Sequence, residues 1–171
     1  MKDVFFICEG CCFYEIVTLG YFMRYSGCDL VFCAPSDGPV RAMEGFTVLP
    51  DLTLAELEPG EVRSFILPGG AVSAINTEEV RDLLRDLRGR GALLAAICAG
   101  VDVLDDAGIL EGVRSTHSVE EDAVRDGALI TARANAHVDF AILAADALGL
   151  FADEADRQET IAFWKYNQRM Q

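Results

Sequence analysis

The sequence predicts an α/β fold, a three-layer sandwich with a mostly parallel sheet and helices on both faces. Three observations carry that prediction. Short runs rich in Val, Ile, Leu and Phe alternate with helical patterns along the chain. Two of those runs end abruptly at small-residue turns, Pro68-Gly69-Gly70 and Cys98-Ala99-Gly100. No repeat, low-complexity tract or linker interrupts the 171 residues, so we read one domain over residues 1–171 with a full hydrophobic core.

Val4–Cys8 reads as the first core strand, because its apolar run ends at Glu9-Gly10. Tyr14–Tyr25 has helical periodicity, and Asp29–Ala34 reads as the next strand. Gly38–Leu49 reads as a small hairpin with arms Val40–Met43 and Phe46–Leu49. Arg63–Leu67 is a strand ending in the Pro-Gly-Gly turn. Glu78–Arg88 is an amphipathic helix whose apolar stripe is Val80, Leu83, Leu84 and Leu87. Ala92–Ile97 is a strand and Val101–Ala107 a helix closed by Gly108. Ala128–Ala132 is a further strand, and Val138–Leu148 and Glu154–Gln168 are closing helices.

The composition excludes some partners. A net charge of −14 opposes general affinity for nucleic acid or anionic membranes. No run of roughly twenty apolar residues is present to span a bilayer. The apolar start lacks a cleavage pattern, so we read no export signal. Six cysteines, three of them expected in strands (Cys8, Cys28, Cys33), then read as reduced, buried thiols of a cytoplasmic protein.

The segment Leu94-Ala95-Ala96-Ile97-Cys98-Ala99-Gly100 carries the chemistry. A buried strand stops at a thiol, and small residues two positions either side, Ala96 and Gly100, leave room for a tight strand-to-helix corner. It is the cysteine counterpart of the nucleophile elbow. A helix starting there aims free N–H groups at the sulfur, which is expected to lower the thiol pKa. In parallel sheets the ligand crevice lies at the carboxyl ends of the strands. Four turns are therefore expected to converge: Glu9–Cys12, Pro68–Ala71, Cys98–Gly100 and the segment containing His117. Cys11 and Cys12 are read either as redox or pocket thiols, one of them resolving an oxidised Cys98, or as small residues filling a tight loop. A metal site from Cys11, Cys12, Cys98 and His117 matches no standard zinc spacing. His137 reads as a helix-start residue.

Together these residues resemble the ThiJ/PfpI superfamily, with its class I glutamine-amidotransferase-like, flavodoxin-type fold. The resemblance runs from Val4 to about Leu148. It rests on Leu67-Pro68-Gly69-Gly70, on Ala95-Ala96-Ile97-Cys98-Ala99-Gly100, on Ser115-Thr116-His117 and on Glu15 early in the first helix. It implies Cys98 as nucleophile, His117 as its proton-transfer partner and Glu15 as a protonated carboxyl group on the sulfur. It implies Gly70 and Ala99 as N–H donors to an oxyanion. It also implies a homodimer, with no metal or organic cofactor. Val101, Ala71 and Ser118 depart from residues common in the family, which bears on substrate more than fold. Ala107–Gly112 is similar to the branch containing isonitrile hydratases and the amidase-like domains of AraC-type regulators.

Two functions follow as expectations. One is a cysteine-nucleophile enzyme acting on a small electrophile: an α-oxoaldehyde, an amide or an isonitrile. The other is a redox sensor or stress-protective protein that works through oxidation of Cys98.

Overall fold

The structure is a computed structural model and describes residues 1–169. The chain opens with β1 (Lys2–Phe6), α1 (Tyr14–Tyr25) and β2 (Leu30–Ala34). A small antiparallel ribbon follows, β3 (Val40–Arg41) with β4 (Thr47–Val48), and then β5 (Leu52–Thr53). β6 (Val62–Leu67), α2 (Glu78–Gly89), β7 (Leu93–Ile97) and α3 (Gly100–Asp106) form the centre. β8 (Ala123–Asp126), β9 (Leu129–Ala132), α4 (His137–Ala147) and α5 (Glu154–Trp164) complete it. The main sheet has seven strands in the order β5-β2-β1-β6-β7-β9-β8. All pairings in it are parallel except that of edge strand β8 with β9.

α1 packs on α4, and α2 packs on α3, giving helical layers on both sides of the sheet as expected. The central strands are covered on both faces, which is why they read as unbroken apolar runs. Phe65, Ile66, Leu67, Ala95, Ala96 and Ile97 are fully buried, and the Phe6 and Phe65 rings meet at 5.4 Å. α2 starts at Thr77, whose hydroxyl accepts the Val80 N–H, and it buries Val80, Leu84 and Leu87. Each such side chain contributes roughly 1.5–3 kcal/mol by leaving water.

At the amino end of the sheet Asp3 is fully buried. Ser64 Oγ donates to its carboxylate at 2.7 Å and Arg63 Nε at 2.9 Å, with a second guanidinium bond closing the fork. This pair raises the Arg63 pKa further above its ordinary value.

Several expectations change. β5 and β8 were not anticipated. β5 has two residues, and β8 (Ala-Val-Arg-Asp) is a half-polar edge strand without a clear period. The ribbon arms are two residues long rather than four. Of the three cysteines expected in strands, only Cys33 lies in one. Cys8 falls just past β1, and Cys28 lies in the turn before β2. All six cysteines are free thiols.

Strand order sets the site's position. From β1 the chain moves one way to β2 and β5, and then returns past β1 to β6, β7 and β9. That reversal opens a crevice at the carboxyl ends of β1 and β6, beside β7.

Candidate active site

Three of the four expected turns meet in that crevice. The Cys12 N–H donates to Gly69 O at 3.0 Å, and the Ala71 N–H donates to Gly10 O at 3.0 Å. The approach requires glycine. A Cβ on Gly70, whose φ is +99°, would lie 2.3 Å from Gly10 O. A Cβ on Gly69 would lie 2.6 Å from Cys98 Cβ and 2.9 Å from its sulfur.

Cys98 sits at the corner between β7 and α3. Its N–H closes the strand pairing on Ala132 O at 2.8 Å, and its carbonyl accepts the Val101 N–H at 3.1 Å. Between those bonds its φ is +57°, a strained value for a residue with a side chain. That strain turns the partly exposed sulfur out of the sheet. α3 can start so close to β6 because residue 100 is glycine: a Cβ there would meet Leu67 O at 2.5 Å. The backbone N–H groups of Ala99 and Gly70 are near enough to the sulfur to favour its thiolate.

Glu15 is the second residue of α1 and is fully buried. Its Oε2 accepts the Gly69 N–H at 2.6 Å. Its Oε1 is buried without a hydrogen bond of ordinary geometry, and the carboxyl group's other polar neighbours are the Cys98 thiol and the Tyr14 hydroxyl. Burial pushes the Glu15 pKa above the usual carboxylate value, against the pull of the Gly69 N–H.

Burial also pushes the Cys98 thiol up, and a negative Glu15 adds to this, while the Ala99 and Gly70 N–H groups pull it down. The simple expectation of a lowered thiol pKa is thereby corrected. A helix start and two N–H groups do not outweigh desolvation beside a carboxylate. The Glu15 proton therefore matters to the thiol. When Glu15 holds the proton, its repulsion disappears and its O–H can donate to the thiolate.

His117 is not part of this cluster. Its segment lies between α3 and β8 and does not follow a strand. Nδ1 is 3.0 Å from Asp105 Oδ2 and Nε2 is 3.4 Å from Asp102 Oδ1. Both ring nitrogens therefore face α3, and neither is hydrogen-bonded to the Cys98 thiol. The structure pairs His117 not with Cys98 but with two carboxylates spaced i, i+3 on α3, which attract the imidazole. His137 begins α4 as expected, with its ring edge-on to Tyr14 at 5.8 Å.

Cys11 is fully buried with its N–H on Cys8 O at 3.0 Å, and the adjoining thiols push Cys8 up and Cys11 down. It fills the loop and does not line the crevice. Cys12 is at the crevice edge. Its thiol meets Met43 Sδ at 3.7 Å, and burial together with the nearby Glu15, Glu44 and Cys98 pushes it up to about 11. Sequence reasoning missed Tyr14, whose only signal is its place beside Glu15. Among the described residues no group of three or more His, Cys, Asp or Glu side chains is placed to hold a metal ion. The site can supply a nucleophilic sulfur, two oxyanion donors and one buried acid.

The profile of the DJ-1/PfpI family matches residues 1–147. The deglycase PfpI of Pyrococcus furiosus is 26% identical over 117 residues, covering 66% of this chain and 70% of that protein. The glutathione-independent glyoxalase DJR-1.2 of Caenorhabditis elegans is 27% identical over 115 residues, covering 66% of this chain and 62% of that one. The crystal structure of the DJ-1 superfamily protein Atu0886 from Agrobacterium tumefaciens aligns with a TM-score of 0.86 at 26% identity. That alignment covers 98% of this chain and all of the other.

Proposed function

The chain belongs to the DJ-1/PfpI family, and from that premise we propose an enzyme whose Cys98 attacks a small electrophilic carbon, with α-oxoaldehydes as the first substrate class. The observation that carries this reading is the buried Glu15 carboxyl group, bonded to the Gly69 N–H, at the strained elbow where the Cys98 sulfur packs against Gly69. Relatives named deglycase and glyoxalase support the substrate class.

The steps use groups the site contains. The Cys98 thiolate forms a C–S bond to the aldehyde carbon, and the carbonyl electron pair moves to oxygen. The Ala99 and Gly70 N–H groups stabilise that oxyanion, and Glu15 gives it a proton. Glu15, now a carboxylate, takes the proton from the carbon bearing sulfur as the neighbouring carbonyl pair moves to its oxygen. The hydroxyl proton passes to that oxygen across the enediolate, and Glu15 returns its proton to the neighbouring carbon as the carbon bearing sulfur becomes a carbonyl. The product is a 2-hydroxy thioester. Water hydrolyses the thioester, releasing the 2-hydroxy acid and restoring the Cys98 thiol. His117 has no part in these steps.

Two further elements belong to the proposal. A homodimer is supported by Tyr14, Val17, Tyr21 and Tyr25, which line the exposed side of α1. A cytoplasmic location suits six free thiols, and no helix of the described residues is long and apolar enough to cross a membrane. The test is turnover of an α-oxoaldehyde, an aliphatic amide and an isonitrile by the purified chain. The proposal expects 2-hydroxy acid from the first, lost in Cys98→Ser and kept in His117→Gln. Turnover that survives Cys98→Ser overturns it.

A further inference from the structure

Six thiols in one chain raise the question of which of them can reach Cys98. Cys8 and Cys11 are buried beside each other, with the Cys11 N–H on Cys8 O at 3.0 Å and the Cys8 thiol on Ala71 O at 3.9 Å. Cys33 is fully buried within β2. Cys28 lies at the opposite end of the sheet, with its sulfur 3.0 Å from the Arg63 guanidinium. Cys12 remains, and it is docked where Cys98 is docked. Its N–H is bonded to Gly69 O, and a Cβ on that same glycine would lie 2.9 Å from the Cys98 sulfur. The Cys12 thiol is not held by a strong partner: its contact is the Met43 thioether, a weak acceptor.

We propose that Cys12 is the resolving thiol of Cys98, so that mild oxidation by a hydroperoxide closes a reversible Cys12–Cys98 disulfide across the mouth of the site. This rests on the reading of Cys98 as the reactive thiol and adds a regulatory function to it. In the first step the Cys98 thiolate takes the distal oxygen of the hydroperoxide. The S–O bond forms, the O–O bond breaks, the sulfur is oxidised and the peroxide leaves as an alcohol or water after taking a proton. This gives the sulfenic acid. In the second step the Cys12 sulfur attacks the Cys98 sulfur. The S–S bond forms and the S–O bond breaks, and the oxygen departs as water, with its proton supplied by Glu15 and replaced by the Cys12 proton. An external thiol reduces the disulfide and restores both cysteines.

The placement explains why Cys12 suits this step. A thiol pushed up to about 11 stays protonated at neutral pH. It does not compete with Cys98 for peroxide but brings the proton that the departing oxygen needs. The disulfide removes the nucleophile from turnover and protects it from further oxidation to sulfinate.

The test is graded hydrogen peroxide on the whole chain, followed by non-reducing peptide mass spectrometry. Cys8, Cys11 and Cys12 share one peptide, so the wild type is run beside Cys8→Ser, Cys11→Ser and Cys12→Ser. The expected result is a cross-linked peptide joining this segment to Cys98, with the loss of two hydrogens. It persists in Cys8→Ser and Cys11→Ser, disappears in Cys12→Ser, and is replaced there by Cys98 sulfinate. Thiol reductant reverses the first product and not the second. If wild-type Cys98 passes to sulfinate while Cys12 still alkylates, or if the cross-link survives Cys12→Ser, the resolving role is overturned and the reactive-thiol reading stands. If Cys98 is not oxidised ahead of the other cysteines, the reactive-thiol reading fails and the resolving role fails with it.

Discussion

Gly100→Ala sets two effects of opposite sign against each other. Gly100 opens α3 with an ordinary helical backbone, so replacing it by alanine favours the helix by up to about 1 kcal/mol. The new Cβ, however, would sit 2.5 Å from Leu67 O, 2.8 Å from Pro68 O and 3.1 Å from Leu67 C. All three atoms are backbone at the end of the central strand β6, so no flexible side chain can yield. Relief requires moving the start of α3 away from β6, and overpacking of this kind costs about 1–3 kcal/mol or more. The clash wins, and the net loss is about 1–2 kcal/mol, a fall in Tm of roughly 2–8 °C for a chain of this size. The same movement carries the Ala99 N–H away from the Cys98 sulfur, so alkylation of Cys98 slows with the loss of stability. Gly89→Ala is the matched control. It lies at the end of α2 with nothing within 4 Å of the added Cβ, and it is expected to gain stability by about 0.5–1 kcal/mol. The assays are thermal unfolding and the rate of iodoacetamide modification at Cys98. Equal stabilisation in both variants, with an unchanged alkylation rate, would refute the close approach of β6 and α3 as the device that shapes the elbow.

Other outcomes follow from the same geometry. Arg63→Ala leaves the fully buried Asp3 carboxylate without its guanidinium. It is expected to cost about 3 kcal/mol, near the low end for a broken buried pair because Arg63 itself is partly exposed, and urea midpoints measure it. His117→Gln is expected to leave the Cys98 alkylation rate unchanged and to cost less than about 1 kcal/mol, since its carboxylate partners are exposed. A tenfold fall in alkylation rate would restore His117 to the site. For Glu15 the sign is set by a folded pKa raised above 4.5. The folded state then keeps a proton that the unfolded state has lost. Stability relative to Glu15→Gln therefore falls as pH rises from the ordinary carboxylate value through the raised one. Urea midpoints for both proteins across that interval check it, and a constant difference would contradict the burial account.

The sheet and the elbow were legible because their residues are constrained locally. Runs such as Leu94–Ile97 are apolar on both faces, and Gly69, Gly70 and Gly100 stand where any Cβ would strike backbone or Cys98. β8 was not legible, since an edge strand with Arg125 and Asp126 facing solvent has neither continuous nor alternating apolar residues. The position of Glu15 could be placed by resemblance, but its bond to the Gly69 N–H depends on a contact 54 positions away in the chain. His117 shows the complementary limit. The motif around it locates the backbone, whereas the ring follows local electrostatics and pairs with Asp102 and Asp105. The thiol pKa was misjudged because helix ends are visible in sequence and desolvation is not.

The central claim is that Glu15 acts on Cys98 as an acid and not as a charge. The pH dependence of Cys98 alkylation in the wild type, Glu15→Gln and Glu15→Leu tests it most directly. A proton donor on the sulfur is worth about 1.5–3 kcal/mol when the acceptor is charged, or roughly one to two pH units. The account predicts that Glu15→Gln, which keeps a donor, has its midpoint at or below that of the wild type. It predicts that Glu15→Leu, which keeps the burial and loses the donor, shifts the midpoint upward by one to two units. A negative Glu15 would push the thiol up. If Glu15→Leu instead shifts the midpoint downward, the carboxyl group is a repelling charge and the shared-proton account is wrong.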